Sequence, residues 1–356
     1  MKMLLLYLLS SAATTLVAAQ TPLKDLAPPN LAIGAVFHGY GDTWNEPDYQ
    51  ALGLREFNAM TASIYLPYGN VWSNQGSNNI NLVGYNQVVD LLVGNGLRVH
   101  GHVLVYPVAN LDSSWWSSQP VNTVESNMNL FIDTILASRK GQIWSFDVVN
   151  EAMADNGEDM DADGVRRSRF GSPLIEYTAM GQDYIGKAFV RARQANPNVK
   201  LILNDYGCEQ DNFDKSNRFY NLVSKLLNQG VPIDGVGFQM HVSSVGNGPD
   251  YESIARNFRR FRNLGVSIYI TEMDVQSSAS AVPLTPSQQQ EAALKQASVW
   301  TQVLEICLNE PACESFLLWD FAEYNSRLAN QRYSWLHPIT YDPNRAGELT
   351  YPSPFF

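Results

Sequence analysis

Trp144-Ser-Phe-Asp-Val-Val-Asn-Glu151 is the stretch that decides the fold of this chain. It forms the end of a short apolar run, Ile143 to Val149, which stops abruptly at Asn150 and Glu151. Buried parallel strands have near-continuous apolar sequences of this kind. A carboxylate just past such a strand lies where a (β/α)8 barrel places catalytic groups. One example alone also has a structural explanation, because Asp or Glu after a strand often begins the next helix.

A second stretch, Ser267-Ile-Tyr-Ile-Thr-Glu-Met-Asp274, repeats the arrangement. Its apolar run from Ile268 to Ile270 leads to Thr271 and then Glu272. Two carboxyl groups on either side of one bond are the minimum set for hydrolysis of a glycosidic bond. The two stretches together therefore indicate a glycosidase.

Eight apolar runs alternate with helical patterns along the chain. The runs are Leu31–Phe37, Ala59–Leu66, Leu97–Val105, Ile143–Val149, Lys200–Asp205, Gly235–Met240, Val266–Thr271 and Ser315–Phe321. Such alternation predicts a parallel sheet with right-handed crossovers, and eight units predict a single closed (β/α)8 TIM barrel of the α/β class. A doubly wound open sheet is the alternative, but it would usually carry Gly-x-Gly-x-x-Gly after a strand, and the sequence has none.

The composition of the chain argues against several classes of binding partner. Its 356 residues are within the range of one large barrel, and 17% of them are charged, with a net charge of −11. This charge argues against nucleic acid and against an acidic polysaccharide. The metal-binding patterns Cys-x-x-Cys and His-Glu-x-x-His are absent from the sequence, so we expect no metal and no cofactor.

The N-terminal sequence is typical of a secretion signal. Lys2 is followed by the apolar segment Met3–Leu9, and Val17-Ala-Ala19 fits a small-residue cleavage site before Gln20. The apolar run is too short for a membrane anchor. We therefore predict a signal peptide over residues 1–19, a catalytic barrel over residues 20–356, secretion to the extracellular space and no membrane association.

The cysteines fit an oxidising compartment. Cys307 and Cys313 are close in sequence, between a helical pattern and the last strand, and we expect them to form a disulfide. Cys208 is then left over, and we interpret it as a small buried apolar residue rather than a nucleophile.

Several motifs resemble those of glycoside hydrolase family 10, whose typical members are endo-β-1,4-xylanases. Asp147-Val-Val-Asn-Glu151 is similar to its acid/base signature, and Ile270-Thr-Glu-Met-Asp274 is similar to its nucleophile signature. Further matches follow in family order, from about Leu31 to about Asp342. They are Gly101-His-Val-Leu104, Asn204-Asp-Tyr-Gly207, Pro232-Ile-Asp-Gly-Val-Gly-Phe-Gln-Met-His241 and Leu318-Trp319.

The resemblance implies a role for each matching residue. Glu151 would be the acid/base and Glu272 the nucleophile, with carboxyl groups about 5–5.5 Å apart as in retaining enzymes. Asn150 would bind the sugar 2-hydroxyl. The other expected contacts are His102 and Trp319 beside the cleaved bond, Gln239 toward Glu151, and His241 toward Glu272 with Asp274 supporting the histidine.

The chain departs from the family where the sugar upstream of the cut is bound. The second strand typically carries Thr-Pro-Glu-Asn-x-Met-Lys, and here Ser63, Ile64 and Pro67 replace the Glu, Asn and Lys. The usual Trp-His-Ser-Gln after the third strand is Tyr106-Pro-Val-Ala109. Other differences are His100 in place of Arg, Asp320 in place of Gly, and a second family tryptophan that aligns with either Arg327 or Trp335.

These differences favour a changed substrate with the same chemistry. The pattern resembles fungal tomatinases of this family, which cut the β-glycosidic bond between the tetrasaccharide and the steroidal aglycone of α-tomatine. An apolar aglycone would suit Tyr106, Pro107 and Val108. A saponin glycoside is therefore the expected substrate of a monomeric enzyme. Xylan is the alternative, and a catalytically inactive carbohydrate-binding protein is an alternative of another class.

Overall fold

The computed structural model describes residues 21–38, 47–63, 71–72, 80–110, 114–276 and 285–321, together with the short segments 340–341 and 349–350. The predicted signal segment lies outside the described residues. So do Ile64, Pro67, Arg327 and Trp335.

Eight parallel strands form the centre of the molecule. They are β1 (Ala32–His38), β2 (Ala59–Ser63), β3 (Arg98–Val105), β4 (Ser145–Asn150), β5 (Lys200–Asp205), β6 (Gly235–Phe238), β7 (Ser267–Gln276) and β8 (Cys313–Leu318). Each strand pairs with the next in the chain, and β8 also pairs with β1, where Ala32 lies opposite Ser315. The sheet is therefore closed, and the predicted (β/α)8 barrel is confirmed.

Helices separate successive strands. They are α1 (Pro47–Glu56), α2 (Val83–Gly94), α3 (Val121–Ser138), α4 (Asp183–Ala195), α5 (Asp214–Asn228), α6 (Tyr251–Arg262) and α7 (Pro286–Asn309). Shorter helices span Leu23–Leu26, Pro107–Asn110, Ser114–Ser117 and Ile175–Met180. Three short strand pairings complete the described structure: Ser168–Arg169 with Ser172–Pro173, His241–Ser243 with the end of β7, and Thr340–Tyr341 with Leu349–Thr350.

The core lies inside the strands and between the strands and the helices. Every residue of β4 is buried, including Ser145 and Asp147, whose polar groups bond to His100 on β3. The helices bury one face each. In α3, for example, the buried positions recur at helical spacing: Val124, Met128, Phe131, Ile132, Ile135 and Leu136. No helix in the described part of the chain has the length and apolarity needed to cross a bilayer.

The predicted disulfide is confirmed. Cys307 near the end of α7 is bonded to Cys313 at the start of β8, with Cα atoms 5.3 Å apart. Cys208 is a free cysteine and is fully buried. Burial raises the pKa of its thiol well above the usual range, so the prediction that it is not a nucleophile fits its surroundings.

Candidate active site

Four of the residues predicted to act together lie at or near the carboxyl ends of strands. Asn150 ends β4, and Glu151 follows it directly. Gln239 comes directly after β6, and Glu272 lies within the second half of β7. The carboxyl ends of parallel strands meet at one face of the barrel, so the closed sheet brings these residues together from distant parts of the chain.

A chain of hydrogen bonds connects the two glutamates. The side-chain amide of Gln239 donates to Glu151 Oε1 at 3.2 Å and lies 3.2 Å from Asn150 Oδ1. The Nδ2 of Asn204 donates to Asn150 Oδ1 at 2.9 Å and to Glu272 Oε1 at 2.8 Å. Three neutral amides therefore hold both carboxyl groups in position.

Sequence reasoning gave Asn204 no role, although it noted the motif that contains it. The asparagine lies at the end of β5 and contacts Glu272 directly. Thr271 Oγ1 donates to Asn204 Oδ1 at 2.7 Å, so this hydroxyl directs the amide Nδ2 toward the glutamate. A Cβ at Gly237 would lie 2.2 Å from Asn204 Oδ1, which explains the glycine on β6. The sequence feature that could have indicated a role for Asn204 is its position at the end of a predicted strand.

Glu272 is nearly buried and has two histidines beside it. Its exposed fraction is 4%. His241 Nε2 lies 3.4 Å from Glu272 Oε2, and His241 Nδ1 lies 3.0 Å from Asp274 Oδ1. His241 therefore lies between the carboxyl groups of Glu272 and Asp274, and the supporting role of Asp274 stays a prediction. His102 Nδ1 is 3.9 Å from Glu272 Oε1 on the other side.

His102 belongs to a buried polar network at the barrel centre. Asp147 Oδ2 lies 2.8 Å from His102 Nδ1 and 3.0 Å from His100 Nε2, and Ser145 Oγ lies 2.8 Å from His100 Nδ1. Burial raises the pKa of Asp147, but His100 and His102 more than offset it and lower that pKa. Burial alone lowers the pKa of His102, yet Asp147 and the nearby charge of Glu272 raise it overall. The imidazolium form is thus favoured beside the two carboxylates.

Trp319 lies over this network, directly after β8. Its ring centroid is 5.4 Å from that of His102 and 6.5 Å from that of His241, with both pairs edge-to-face. The indole is half-buried, so it offers a flat apolar surface beside the two histidines. Such a surface suits one face of a sugar ring.

Glu151 has the electrostatic surroundings of a catalytic acid. Burial raises the pKa of its carboxyl group, and the charges of Asp205 and Glu272 raise it further. Hydrogen bonds from Tyr106 and Gln239 act in the opposite direction without cancelling the rise. A carboxyl group of raised pKa stays protonated nearer to neutral pH, which a proton donor requires.

Tyr106 also interacts with the catalytic acid. The sequence analysis considered only an apolar aglycone at this residue, and that expectation stays a prediction; in the structure the Tyr106 hydroxyl is a hydrogen-bond donor to Glu151. Burial and the charge of Glu151 raise the pKa of the phenol, so it remains a neutral donor. Sequence reasoning missed this contact because the distance between the ends of β3 and β4 depends on the register of the two strands.

The backbone at Glu151 is in an uncommon conformation. Its φ is +55°, in the left-handed region that a glutamate rarely adopts. Its N–H donates to the carbonyl of Asn204 at 2.9 Å. Farther along the same segment, the N–H of Met153 donates to Asp205 Oδ2 at 2.8 Å, and Lys215 Nζ lies 3.0 Å from Asp205 Oδ1. These contacts hold the chain in the strained turn, and strain of this kind is typical of functional sites.

Three of these residues could also approach one cation. His102, Asp147 and Glu272 each offer a ligand atom, and these atoms lie within 4.8 Å of one another. The 2.8 Å contact between His102 and Asp147 is a hydrogen bond, however, and it explains the cluster without an ion. The expectation that no metal takes part stays a prediction.

A closed barrel with two buried carboxyl groups, joined by amide side chains at its carboxyl-terminal face, fits a glycoside hydrolase. The sequence model described as glycosyl hydrolase family 10 matches residues 23–352. The chain belongs to glycosyl hydrolase family 10.

Its relatives in the family include xylanases. The chain is 34% identical to endo-1,4-beta-xylanase B of Thermotoga neapolitana over 93% of its own length and 88% of that enzyme. It is 36% identical to endo-1,4-beta-xylanase A of Cellvibrio japonicus over 73% of its length, but it spans only 42% of that protein.

Solved structures agree with the assignment. A crystal structure of xylanase 10B from Thermotoga petrophila in complex with xylobiose is 31% identical, covers 89% of each chain and superposes with a TM-score of 0.75. Native xylanase 10B from Thermotoga maritima, also 31% identical, covers 86% of this chain and 88% of its own and has a TM-score of 0.71.

Proposed function

We propose that this protein is an endo-β-1,4-xylanase that hydrolyses internal bonds of xylan with retention of configuration. The observation that carries the proposal is the pair of glutamates, Glu151 and Glu272, linked through amide side chains in a chain that matches xylanases over nearly its whole length. His102, His241 and Trp319 line the same site. These relatives favour xylan over the saponin that the sequence departures suggest.

The mechanism has two steps. In the first, a carboxylate oxygen of Glu272 attacks the anomeric carbon while the protonated Glu151 gives its proton to the leaving oxygen. The glycosidic C–O bond breaks, and a glycosyl ester forms on Glu272. In the second, the now ionised Glu151 takes a proton from water, whose oxygen attacks the same carbon and releases Glu272.

The surrounding groups support each step. Asn204 donates to Glu272 Oε1, and His241 lies beside Oε2, so both oxygens of the nucleophile are held in place. Asn150 lies between the two carboxyl groups, where a sugar 2-hydroxyl would approach. A bond to that hydroxyl strengthens as positive charge develops on the ring in the transition state.

The test of this function is release of sugars from xylan. Xylo-oligosaccharides should appear when the purified protein is incubated with xylan and the products are identified by mass. The Glu272→Gln variant should release none. A wild-type protein that hydrolyses neither xylan nor any aryl β-glycoside would instead support the non-catalytic carbohydrate-binding alternative.

A second candidate is the tomatinase-like cleavage of a saponin. The observation that favours it is the second strand, where Ser63 stands in place of the family's glutamate and is followed by Ile64 and Pro67 in place of Asn and Lys. Loss of these ligands could admit a hexose, which is larger than xylose by one hydroxymethyl group. Tyr106 makes this candidate weaker than the sequence suggests, because its hydroxyl faces Glu151.

Parallel incubations separate the two candidates. The protein is incubated with α-tomatine and, separately, with xylan at equal enzyme concentration. Release of an intact tetrasaccharide from α-tomatine, with little soluble product from xylan, would favour the saponin. The reverse result would favour the xylanase.

Secretion of a monomer is part of the proposal. The N-terminal pattern around Lys2 and Val17-Ala-Ala19 supports it, and so does the disulfide between Cys307 and Cys313, since disulfides persist in oxidising compartments. N-terminal sequencing of protein from the culture medium of an expressing host should begin at Gln20, and gel filtration should give the mass of one chain. An uncleaved N-terminus or a cell-retained protein would contradict this part.

A further inference from the structure

A small hairpin in the segment between β4 and α4 has an unusual residue at its tip. Ser168–Arg169 pairs with Ser172–Pro173, and Arg169 lies opposite Ser172, so the turn consists of Phe170 and Gly171. Both turn residues have positive φ, +52° and +80°. This is the two-residue turn in which Asn-Gly or Gly-Gly is normally found.

Phe170 is unfavourable for stability at this position in two ways. A bulky side chain rarely adopts positive φ, and asparagine or glycine would do so with less strain. Its side chain is also 88% exposed, which is the highest exposure among the large apolar residues of the described chain. A bulky residue kept in a strained backbone conformation motivates a hypothesis of function.

The hairpin is fixed to the catalytic segment by Arg169. The guanidinium forms ion pairs with Asp155 at 3.3 Å and with Glu158. Asp155 is four positions past Glu151 in the chain and also accepts a hydrogen bond from the hydroxyl of Tyr206, which follows β5. The turn of the hairpin is therefore fixed by ion pairs to the segment that follows the catalytic acid.

One face of the Phe170 ring is supported from within the protein. The guanidinium carbon of Arg169 lies 4.7 Å from the ring centroid, and carboxylates hold that guanidinium in place. The other face is open to solvent. A rigid aromatic ring with one free face is the usual platform for the apolar face of a sugar, and a ring supported by a cation loses little side-chain freedom when a sugar binds.

We propose that Phe170 is a stacking platform for a sugar ring of the substrate on the leaving-group side, beyond the catalytic acid. The side is inferred from two observations. Glu151 protonates the leaving oxygen in the proposed mechanism, and the hairpin lies in the loop after β4, tied through Arg169 to Asp155 four residues past Glu151. The inference rests on the proposed function, since it requires a substrate with several sugars after the cleaved bond.

The experiment compares a long and a short substrate. Xylohexaose can reach the platform, whereas 4-nitrophenyl β-xylobioside has only a nitrophenyl group on the leaving side. Phe170→Asn should lower kcat/KM on xylohexaose about five- to tenfold, the usual range for one aromatic contact, and leave kcat/KM on the aryl substrate unchanged. It should also shift cleavage of xylohexaose toward shorter reducing-end fragments. Phe170→Tyr, which keeps the ring, should behave as the wild type does.

Two controls separate function from folding. Phe170→Asn should unfold at the same temperature as the wild type or higher, because asparagine suits the turn. Leu294→Ala removes another exposed apolar side chain, on the outer helix α7, and should change neither activity.

Each outcome is decisive. Equal kcat/KM of Phe170→Asn and wild type on xylohexaose would overturn the inference, and so would equal losses on both substrates or a lowered unfolding temperature. A wild-type protein that cleaves neither xylan nor xylohexaose would overturn the proposed function, and the inference with it.

Discussion

Replacement of Tyr106 by phenylalanine tests the link between the site's geometry and its pH dependence. The change removes one hydroxyl group and leaves the ring, so the half-buried side chain keeps its packing. The hydroxyl donates to Glu151 and lowers the pKa of that carboxyl group, against the larger effect of burial. Without it, the ionised form of Glu151 is less stable and the pKa rises further.

The size of the shift follows from the donors that remain. A hydrogen bond to a charged group contributes about 1.5–3 kcal/mol, and about 1.4 kcal/mol corresponds to one pH unit. Gln239 still donates to Glu151 Oε1 at 3.2 Å, and Asn150 Nδ2 lies 3.5 Å away. The protonated acid also keeps part of its bond to Tyr106 in the wild type. We therefore expect a shift of about one pH unit.

The direction of the shift in the Glu151 pKa can be measured from the first chemical step. Glu151 must be protonated to donate its proton, so kcat/KM falls as pH rises through its pKa. In Tyr106→Phe this fall should occur about one pH unit higher than in the wild type. The assay is the pH profile of kcat/KM on phenyl β-xylobioside, whose leaving group needs the proton.

A substrate with a better leaving group is the control. The 2,4-dinitrophenyl β-xylobioside needs little acid catalysis, so Tyr106→Phe should leave the high-pH side of its profile unchanged. A descending limb for the phenyl substrate that stays in place or moves to lower pH, in a variant that melts as the wild type does, would refute the reasoning.

Four further predictions follow from the structure. Glu272→Gln should lower turnover by about 10⁴-fold or more while the fold is kept, because the amide is nearly isosteric; wild-type-like rates would contradict the nucleophile assignment. Proton NMR of the first product formed should show the β-anomer, because a retaining enzyme that cuts a β-bond releases its product in the β-configuration; early α-anomer would contradict retention. Lys215→Met leaves the buried Asp205 unpaired, so urea unfolding should show a loss of about 3–5 kcal/mol, whereas Lys225→Met, which breaks a surface pair with Asp163, should cost about 1 kcal/mol or less. Replacing Cys307 and Cys313 by serine should lower the free energy of unfolding by about 2 kcal/mol, the loop-closure value for a short loop; an unchanged midpoint would show that the bond adds nothing.

The positions of the strands could be predicted because burial of a strand requires apolar residues, and these are visible in the sequence. A strand covered on both faces is mostly apolar, although β4 also buries Ser145 and Asp147. Its end is visible where polar residues follow one another, as at Asn150 and Glu151. The run that ends at Asn150 and Glu151, and the one that leads to Glu272, therefore suffice to place two carboxyl groups at strand ends. The disulfide was predictable for a different reason, because only six positions separate Cys307 from Cys313 and the chain begins with a predicted secretion signal, which indicates an oxidising compartment.

The contacts between strands could not be predicted in this way. Asn204 reaches both Asn150 and Glu272, and Tyr106 reaches Glu151, only because closure of the barrel sets the register of neighbouring strands. The pKa of Glu151 likewise depends on burial and on charges that arrive from other strands. The strain at Phe170 is a property of the turn, which the letters Arg-Phe-Gly do not show. A sequence records which groups a strand end carries, while the distances and surroundings that give those groups their chemistry arise from packing of segments far apart in the chain.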